Sequence, residues 1–364
     1  MAKKKNNSKI FNQLFLNLAF QQAEINLGFT KSNPSVGCIV EKDGSTISSG
    51  FTYKNGRPHA ETVALKKNKD FKNANLYVTL EPCVHYGKTP PCVNLIKKKN
   101  IKNVFFSLND PDVRTKNLAK NFLIKNGVNC FSNFKKTYGK KFYESYILKH
   151  KKKIPLIDSK IAFTKDFFSI NKKNKFVTNF KSRRTVHLLR SKYDCILSTS
   201  KTINKDDSKL DVRIEGLENK SPDIIIIDRK LKLNENLSLF KIHSKRKIII
   251  FTEIKKNIKI NKFKKKGIKI YYINRLIEKN DFIIMFMKIS QLGYSRVFCE
   301  TGVTLLKFLI KNKFIHNLYA FQSPYKVRKY GLNKLSAYTK KNINIKNKIK
   351  VNLKDDKLYK INFK

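Results

Sequence analysis

At residues 75–92 the chain reads "NLYVTLEPCVHYGKTPPC". The first six residues form a short apolar run of strand type. That run leads directly into Glu81-Pro82-Cys83, and a second proline-preceded cysteine, Cys92, closes the segment. Upstream, "PHAETVAL" at 58–65 offers His59 and Glu61, with Pro58 placed as at a helix start. One imidazole and two thiols are the three protein ligands of a catalytic zinc site, which leaves a fourth position open. Glu61, two residues past His59, can reach water at such a metal without being a ligand, and can carry its proton. Taken singly, these residues have ordinary readings, since a buried free cysteine is common. Together, with a proline before each cysteine, they point to metal-assisted hydrolysis.

Working outward, residues 10–28 carry apolar groups at helical spacing and then Gly28 as a stop. "VGCIVEKDGSTISSGFTY" reads as two strands around a turn at Asp43-Gly44. A helix over about 91–99 and a strand at 103–108 follow the cysteine loop. The repeated βα order is an α/β signature. Near 145–155 the composition becomes basic and polar, which places a boundary between a domain at 1–150 and another at 151–364. The second half shows a helix at 182–192, strands at 195–199, 223–228, 247–253 and 295–302, and a helix at 304–312, so a mostly parallel sheet is expected. The lysine-dense stretches 254–281 and 340–364 read as solvated surface or edge strand.

The chain carries 79 Lys+Arg against 26 Asp+Glu, a formal charge of +53. Alone, that reads as nucleic-acid or anionic-membrane binding. The lysines, however, run from end to end with abundant Asn, Ile and Phe, while Gly, Pro and Trp are scarce. All of this matches an AT-rich genome that tolerates lysine on solvated faces, so no nucleic-acid partner is expected. The field would still attract a phosphorylated substrate. Six scattered cysteines make no disulfide framework. No apolar segment follows the basic "MAKKKNNSKI", and no run approaches a membrane span. A cytoplasmic protein without membrane partners is expected.

The His-x-Glu … Pro-Cys … Cys layout is that of the zinc nucleobase deaminases, although their usual second half is Pro-Cys-x-x-Cys. Here eight residues separate Cys83 from Cys92. With "NPSVGCIV" (33–40), "GRPHAETVAL" (56–65), the cysteine loop and "NDP" (109–111), the first half resembles the deaminase part of the bifunctional riboflavin-biosynthesis deaminase/reductases. "SRRTVHLLRSKYDCILSTSKTINKDDSKLDVR" (182–213) and "ETGVTLL" (300–306) are similar to the reductase part of the same family. The resemblance implies a cytidine-deaminase-like α/β/α sandwich followed by a dihydrofolate-reductase-like α/β domain. It implies zinc and NADPH as cofactors, a phosphoribosylated pyrimidine as substrate, and self-association into a homo-oligomer. The first reaction would remove the amino group at position two of the pyrimidine, and the second would reduce the ribosyl group to ribityl.

By the same resemblance, His59, Cys83 and Cys92 hold zinc and Glu61 shuttles the proton. Asn33, His85 and Lys88 contact substrate, while Gly87 and Pro90 shape their loop. In the second half Arg190, Arg213 and Glu300 fall on substrate positions, with Arg suited to a two-pronged grip on phosphate. Ala162, Phe176, Thr202, Asp206 and Gly302 fall on cofactor positions, and Lys160 is an electrostatic contact. No Gly-x-Gly-x-x-Gly follows a strand, so a Rossmann site is not expected. The sequence departs from the family pattern at "TKDFFS" (164–169), "FVTNF" (176–180), Ser208 and Thr301, around the expected nicotinamide pocket. The competing reading is a zinc deaminase acting on RNA or DNA bases. A flipped base and flanking contacts would be needed for that, and the long cysteine loop and second α/β domain argue against it.

Overall fold

The computed structural model describes residues 2–241, 246–343 and 348–363, with side chains described from residue 10 onward. The chain divides into two compact units, Met1–Lys153 and Ile154–Lys364.

In chain order the first unit contains α1 (Ala2–Glu24), β1 (Gly37–Lys42), β2 (Ser45–Phe51), α2 (Ala60–Leu65), β3 (Asn75–Leu80), α3 (Cys92–Lys98), β4 (Asn103–Leu108), α4 (Leu118–Lys125), β5 (Asn129–Phe131), α5 (Lys136–Phe142) and α6 (Glu144–Lys152). The sheet order is β2-β1-β3-β4-β5. β1 is antiparallel to both neighbours, while β3, β4 and β5 run parallel. Alternate residues feed opposite faces, as the two-residue period of a strand requires. Ile39, Tyr77 and Phe105 pack under α1 with Phe15, Leu16 and Ala19. Cys38, Val40, Val78 and Phe106 pack on the other face with Ala60, Ala64, Val93 and Ile96 from α2 and α3. Helices therefore cover both faces.

Asp43 and Gly44 both take positive φ (53° and 82°), the backbone of a tight two-residue hairpin turn. Gly50 serves a different purpose. A β-carbon there would lie 2.3 Å from the Ala60 carbonyl oxygen, so α2, with Glu61 in its first turn, rests directly on β2. Gly37 likewise lets α1 lie against β1, because a β-carbon would come within 1.8 Å of the Ala19 carbonyl oxygen.

The second unit contains β6 (Leu156–Phe163), β7 (Phe168–Asn171), α7 (Phe180–Arg190), β8 (Cys195–Thr199), α8 (Ser200–Asp206), β9 (Asp223–Ile227), α9 (Ser238–Lys241), β10 (Ile248–Thr252), α10 (Ile258–Lys265), β11 (Lys269–Tyr272), α11 (Lys279–Gln291), β12 (Arg296–Cys299), α12 (Val303–Lys311), β13 (Asn317–Gln322), β14 (Gly331–Lys334), α13 (Ala337–Asn342) and β15 (Lys357–Asn362). Its sheet order is β11-β10-β9-β8-β12-β6-β13-β15, parallel except for β15. Apolar cores line both faces, and the central strands are Ile-rich as double burial demands.

The two basic stretches supply the sheet edges, β11 and β15, where exposed lysine also discourages strand addition. Residues 344–347 and 364 of the second stretch lie outside the described residues. α1 begins well before the apolar periodicity and ends at Glu24, ahead of Gly28. Periodicity marks only the buried face of a helix, and the lysine-rich opening carries helix propensity of its own. α7 starts at Phe180, earlier than the spacing suggested, because the Asn179 side chain caps it by accepting from Ser182 N.

Candidate active site

His59 sits at the N-cap of α2, Cys83 follows β3, and Cys92 opens α3. Their ligand atoms all lie within 4.8 Å of one another. His59 Nδ1 is 3.6 Å from Cys83 Sγ and 3.4 Å from Cys92 Sγ. Zn–S and Zn–N bonds at a tetrahedral angle would put such atoms about 3.5 Å apart, so the donor set fits zinc. The backbone is fixed as well. Cys92 N donates to Cys83 Sγ and Val93 N to the Cys83 carbonyl, both at 3.3 Å. A hydrogen bond from Cys92, aided by His59, holds the Cys83 thiol down to about 4 against its burial. The same bond and burial push Cys92 well up. Zinc binding would displace the remaining proton from Cys92, so that both cysteines ligate as thiolates.

Glu61 is 4% exposed. Burial raises its carboxyl to about 6, against the pull of His59. Cys92 stands close enough to ease that rise, so the acid lies at the metal group without belonging to it.

The loop between the cysteines is braced from below by a residue the motif reading did not single out. Glu81 is buried and accepts from the backbone N–H groups of Asp110, Asn117 and Ala119 at 3.0–3.1 Å. It thereby anchors the 109–119 segment, in which buried Thr115 lies 3.0 Å from His85 Nδ1. Asn33 donates through Nδ2 to the Gly56 carbonyl (2.9 Å), next to the His59 segment. Lys88 is exposed on the loop. Arg57, also absent from the sequence-based site, hydrogen-bonds Thr89. Nothing in its spacing marks it, because the contact crosses between two segments.

In the second unit Glu300 follows β12 and is 5% exposed. Arg190, the last residue of α7, grips it with both prongs: Nε to Oε1 at 2.5 Å and Nη2 to Oε2 at 3.1 Å. Lys160 Nζ on β6 lies 3.4 Å from Oε2. Burial would raise this carboxyl, but Arg190 and Lys160 hold it down to about 2. Arg190 Nη1 also donates to the Asp211 carbonyl (2.8 Å), and Arg213 N lies 3.2 Å from His187 Nδ1. The structure thus joins Lys160, Arg190, Glu300 and the 211–213 loop. Arg190's fork is taken up by Glu300, whereas the Arg213 guanidinium is exposed beside Asp211.

Thr202 and Gly302 are neighbours, since a β-carbon on Gly302 would lie 3.9 Å from Thr202 Oγ1. Between Glu300 and Gly302, Thr301 Oγ1 is buried with no partner, at the entrance to α12. An orphan hydroxyl at a helix N-terminus fits a phosphate-bearing cofactor such as NADPH. Ala162 is half-buried on β6, opposite Phe321. Phe176 is exposed, with the Arg183 guanidinium 4.0 Å from its ring centre. Asp206 is exposed at the end of α8, a turn away from Thr202. It is Asp207 that anchors the loop, accepting from Ser238 N (2.8 Å) and Oγ (2.6 Å).

The altered 164–169 turn is well formed. Asp166 accepts from Thr164 Oγ1 and from the N–H groups of Val327 and Arg328. Phe167 takes the left-handed backbone (φ 68°) and stacks on Phe163 at 5.6 Å.

A sequence profile for the cytidine and deoxycytidylate deaminase zinc-binding region matches residues 10–108, and one for the RibD C-terminal domain matches residues 159–330. The riboflavin biosynthesis protein RibD of Aquifex aeolicus is 30% identical over 322 residues, covering 88% of each chain. The fold matches that of Acinetobacter baumannii RibD with a TM-score of 0.84 at 22% identity, over 98% of this chain and 99% of that one. A Thermotoga maritima protein described as a diaminohydroxyphosphoribosylaminopyrimidine deaminase/5-amino-6-(5-phosphoribosylamino)uracil reductase matches with a TM-score of 0.81 and 26% identity, over 98% and 99% of the two chains. The first unit is therefore cytidine-deaminase-like and the second is the RibD reductase fold, and an RNA or DNA deaminase is not favoured. Extended kinship across both units settles what the metal group alone left open: the chain belongs to the RibD family of riboflavin biosynthesis and is both a zinc-dependent deaminase and an NADPH-dependent reductase.

Proposed function

We propose that the first unit deaminates diaminohydroxyphosphoribosylaminopyrimidine and the second reduces the resulting 5-amino-6-(5-phosphoribosylamino)uracil, the two compounds named for the Thermotoga relative. The observation that carries the proposal is buried Glu61 set against the His59, Cys83 and Cys92 group. Those three residues would hold zinc, which when bound supplies the Lewis acidity that makes water nucleophilic near neutral pH. Glu61 accepts the proton released as water adds to the pyrimidine carbon. It returns that proton to the amino group as the C–N bond breaks and ammonia leaves. Burial of the carboxylate keeps bulk water from competing for this proton. His85, held against Thr115, and Lys88 face substrate from the loop, and Asn33 does so beside Gly56.

In the second unit bound NADPH would supply a hydride to the anomeric carbon of the sugar, with a proton taken up at the ring oxygen as the ring opens into the ribityl chain. Glu300, locked by Arg190 and Lys160, orients the sugar, and exposed Arg213 meets the phosphate. Thr202, Gly302 and Thr301 would seat the cofactor phosphates, with Ala162, Phe176 and Asp206 along its length. None of the six cysteines is joined in a disulfide, which supports a reducing cytoplasmic setting. Together with a homo-oligomeric state, that completes the reading. Domain limits of 1–150 for the deaminase and 151–364 for the reductase go with it.

The test follows ammonia release and NADPH oxidation separately on the purified protein. The expected result is ammonia from the phosphoribosylamino-pyrimidine without NADPH, and NADPH oxidation once the uracil product is present. Ammonia from an oligonucleotide, with none from the small substrate, would overturn the reading.

A further inference from the structure

Arg57 stands two positions before His59, yet its side chain belongs to the other wall of the site. Nη1 donates to Thr89 Oγ1 on the cysteine loop. Nη2 lies 3.2 Å from where a β-carbon on Gly87 would be. The guanidinium therefore sits between the segment carrying His59 and Glu61 and the loop carrying Cys83 and Cys92.

A guanidinium has five N–H donors. Among the described residues, Thr89 takes its one side-chain hydrogen bond, and no carboxylate pairs with it. Arg114, Arg190, Arg213, Arg229 and Arg275 each have an acidic partner, while Arg57 is among the arginines that have none; what sets it apart is its place at the mouth of the metal group, against Thr89 and Gly87 of the cysteine loop. An unneutralised fork with donors to spare, at the edge of a half-buried site, is the arrangement that binds a phosphate dianion in two-pronged fashion. Lys88, exposed one residue before Thr89, adds a point charge on the same rim.

We propose that Arg57 is a specificity-determining residue of the deaminase half: it grips the phosphate monoester of the substrate and so selects phosphorylated over unphosphorylated pyrimidines. The inference rests on the reading that this half acts on a phosphoribosylated pyrimidine. The Thr89 hydrogen bond pre-orients the fork, and the loop residues contact the sugar beneath it.

The test uses zinc-loaded wild type, R57A and R57K, measuring ammonia release from the phosphorylated pyrimidine and its inhibition by ribose 5-phosphate. R57A is expected to raise KM roughly 10- to 100-fold, the worth of a hydrogen-bonded charge contact, with kcat little changed. R57K should recover part of that loss. Ribose 5-phosphate should compete with substrate in wild type and lose most of its potency against R57A. A fall in kcat at unchanged KM, or loss of bound zinc, would show instead that Arg57 only tethers the loop and would overturn the inference. If R57A does not fold, R57K and R57Q carry the same comparison. Wild type that releases ammonia equally well from the phosphorylated and dephosphorylated compounds would defeat the substrate reading itself, separately from any role of Arg57.

Discussion

Glu61 and Glu300 are the same residue type, almost equally hidden from solvent, and their carboxyls move in opposite directions. Burial lifts Glu61 to about 6, whereas Arg190 and Lys160 hold Glu300 down to about 2. The difference lies in what surrounds each acid. Glu61 shares its pocket with thiols and an imidazole, groups that exchange protons, while Glu300 is enclosed by two cations that keep it charged. One environment makes a carboxyl a proton carrier. The other makes it a fixed anion that holds an arginine and a lysine in place. On the proposed reading, a single chain uses the same side chain for chemistry in one unit and as a fixed anion in the other.

The strongest way to break that contrast is to remove the metal. Chelation, or Cys83→Ser, is expected to abolish ammonia release and leave reduction of supplied uracil intermediate intact, with metal content and NADPH absorbance as the two readouts. Next in size is Glu61→Gln. This variant keeps the shape and the zinc but loses the proton carrier, so deamination should fall by about 10²–10⁴; appreciable ammonia release from it would remove Glu61 from the reaction.

A smaller effect is expected at Glu300→Gln, which leaves Arg190 and Lys160 partly buried without their anion, at a cost of roughly 3–5 kcal/mol. NADPH oxidation should fall at least tenfold while deamination is unchanged. The pH dependence has a definite sign. The folded carboxyl lies below its ordinary value of 4.5, so its stabilisation is present above about pH 4.5 and is lost as pH falls towards about 2. The variant's unfolding free energy, followed by denaturant titration, should be flatter than wild type across that window; parallel curves would mean that the ion cluster contributes nothing. The smallest effect belongs to Phe167→Gly. Relief of about 1 kcal/mol of left-handed strain offsets only part of what is lost, since the half-buried ring also packs against the core and lies under Lys340. Stability should fall by roughly 1–2 kcal/mol, and the reductase should keep most of its activity.

The deaminase site was legible because its chemistry is written locally. His59 and Glu61 share one turn, Cys83 and Cys92 share one loop, and the strand ahead of them, Asn75–Leu80, falls on the residues its apolar run marked. The reductase site is written across distance. Arg190 and Glu300 are 110 positions apart, and only the placement of β12 between β8 and β6 brings them together. Family resemblance could name both residues, but not that one occupies the other's fork. Arg57 and Glu81 escaped for another reason. Each acts through a contact to a segment that no spacing rule connects to it, Arg57 with Thr89 and Glu81 with the 110–119 amides. The turn at 164–169 looked eroded in sequence, yet the Asp166 side chain does the work of holding it, and Phe167 adopts a backbone usually left to glycine.

The seat of α2 on β2 bears on how this sequence can drift. A chain with 79 basic residues and only 13 glycines has evidently accepted lysine almost wherever a side chain can reach water. Position 50 is closed to that trend, because even a methyl group there would meet the Ala60 backbone and lift the helix that presents Glu61. Surface composition can follow the mutational tide of a genome. The floor beneath the carboxylate proposed to carry the proton is one atom thick, and there the tide must stop.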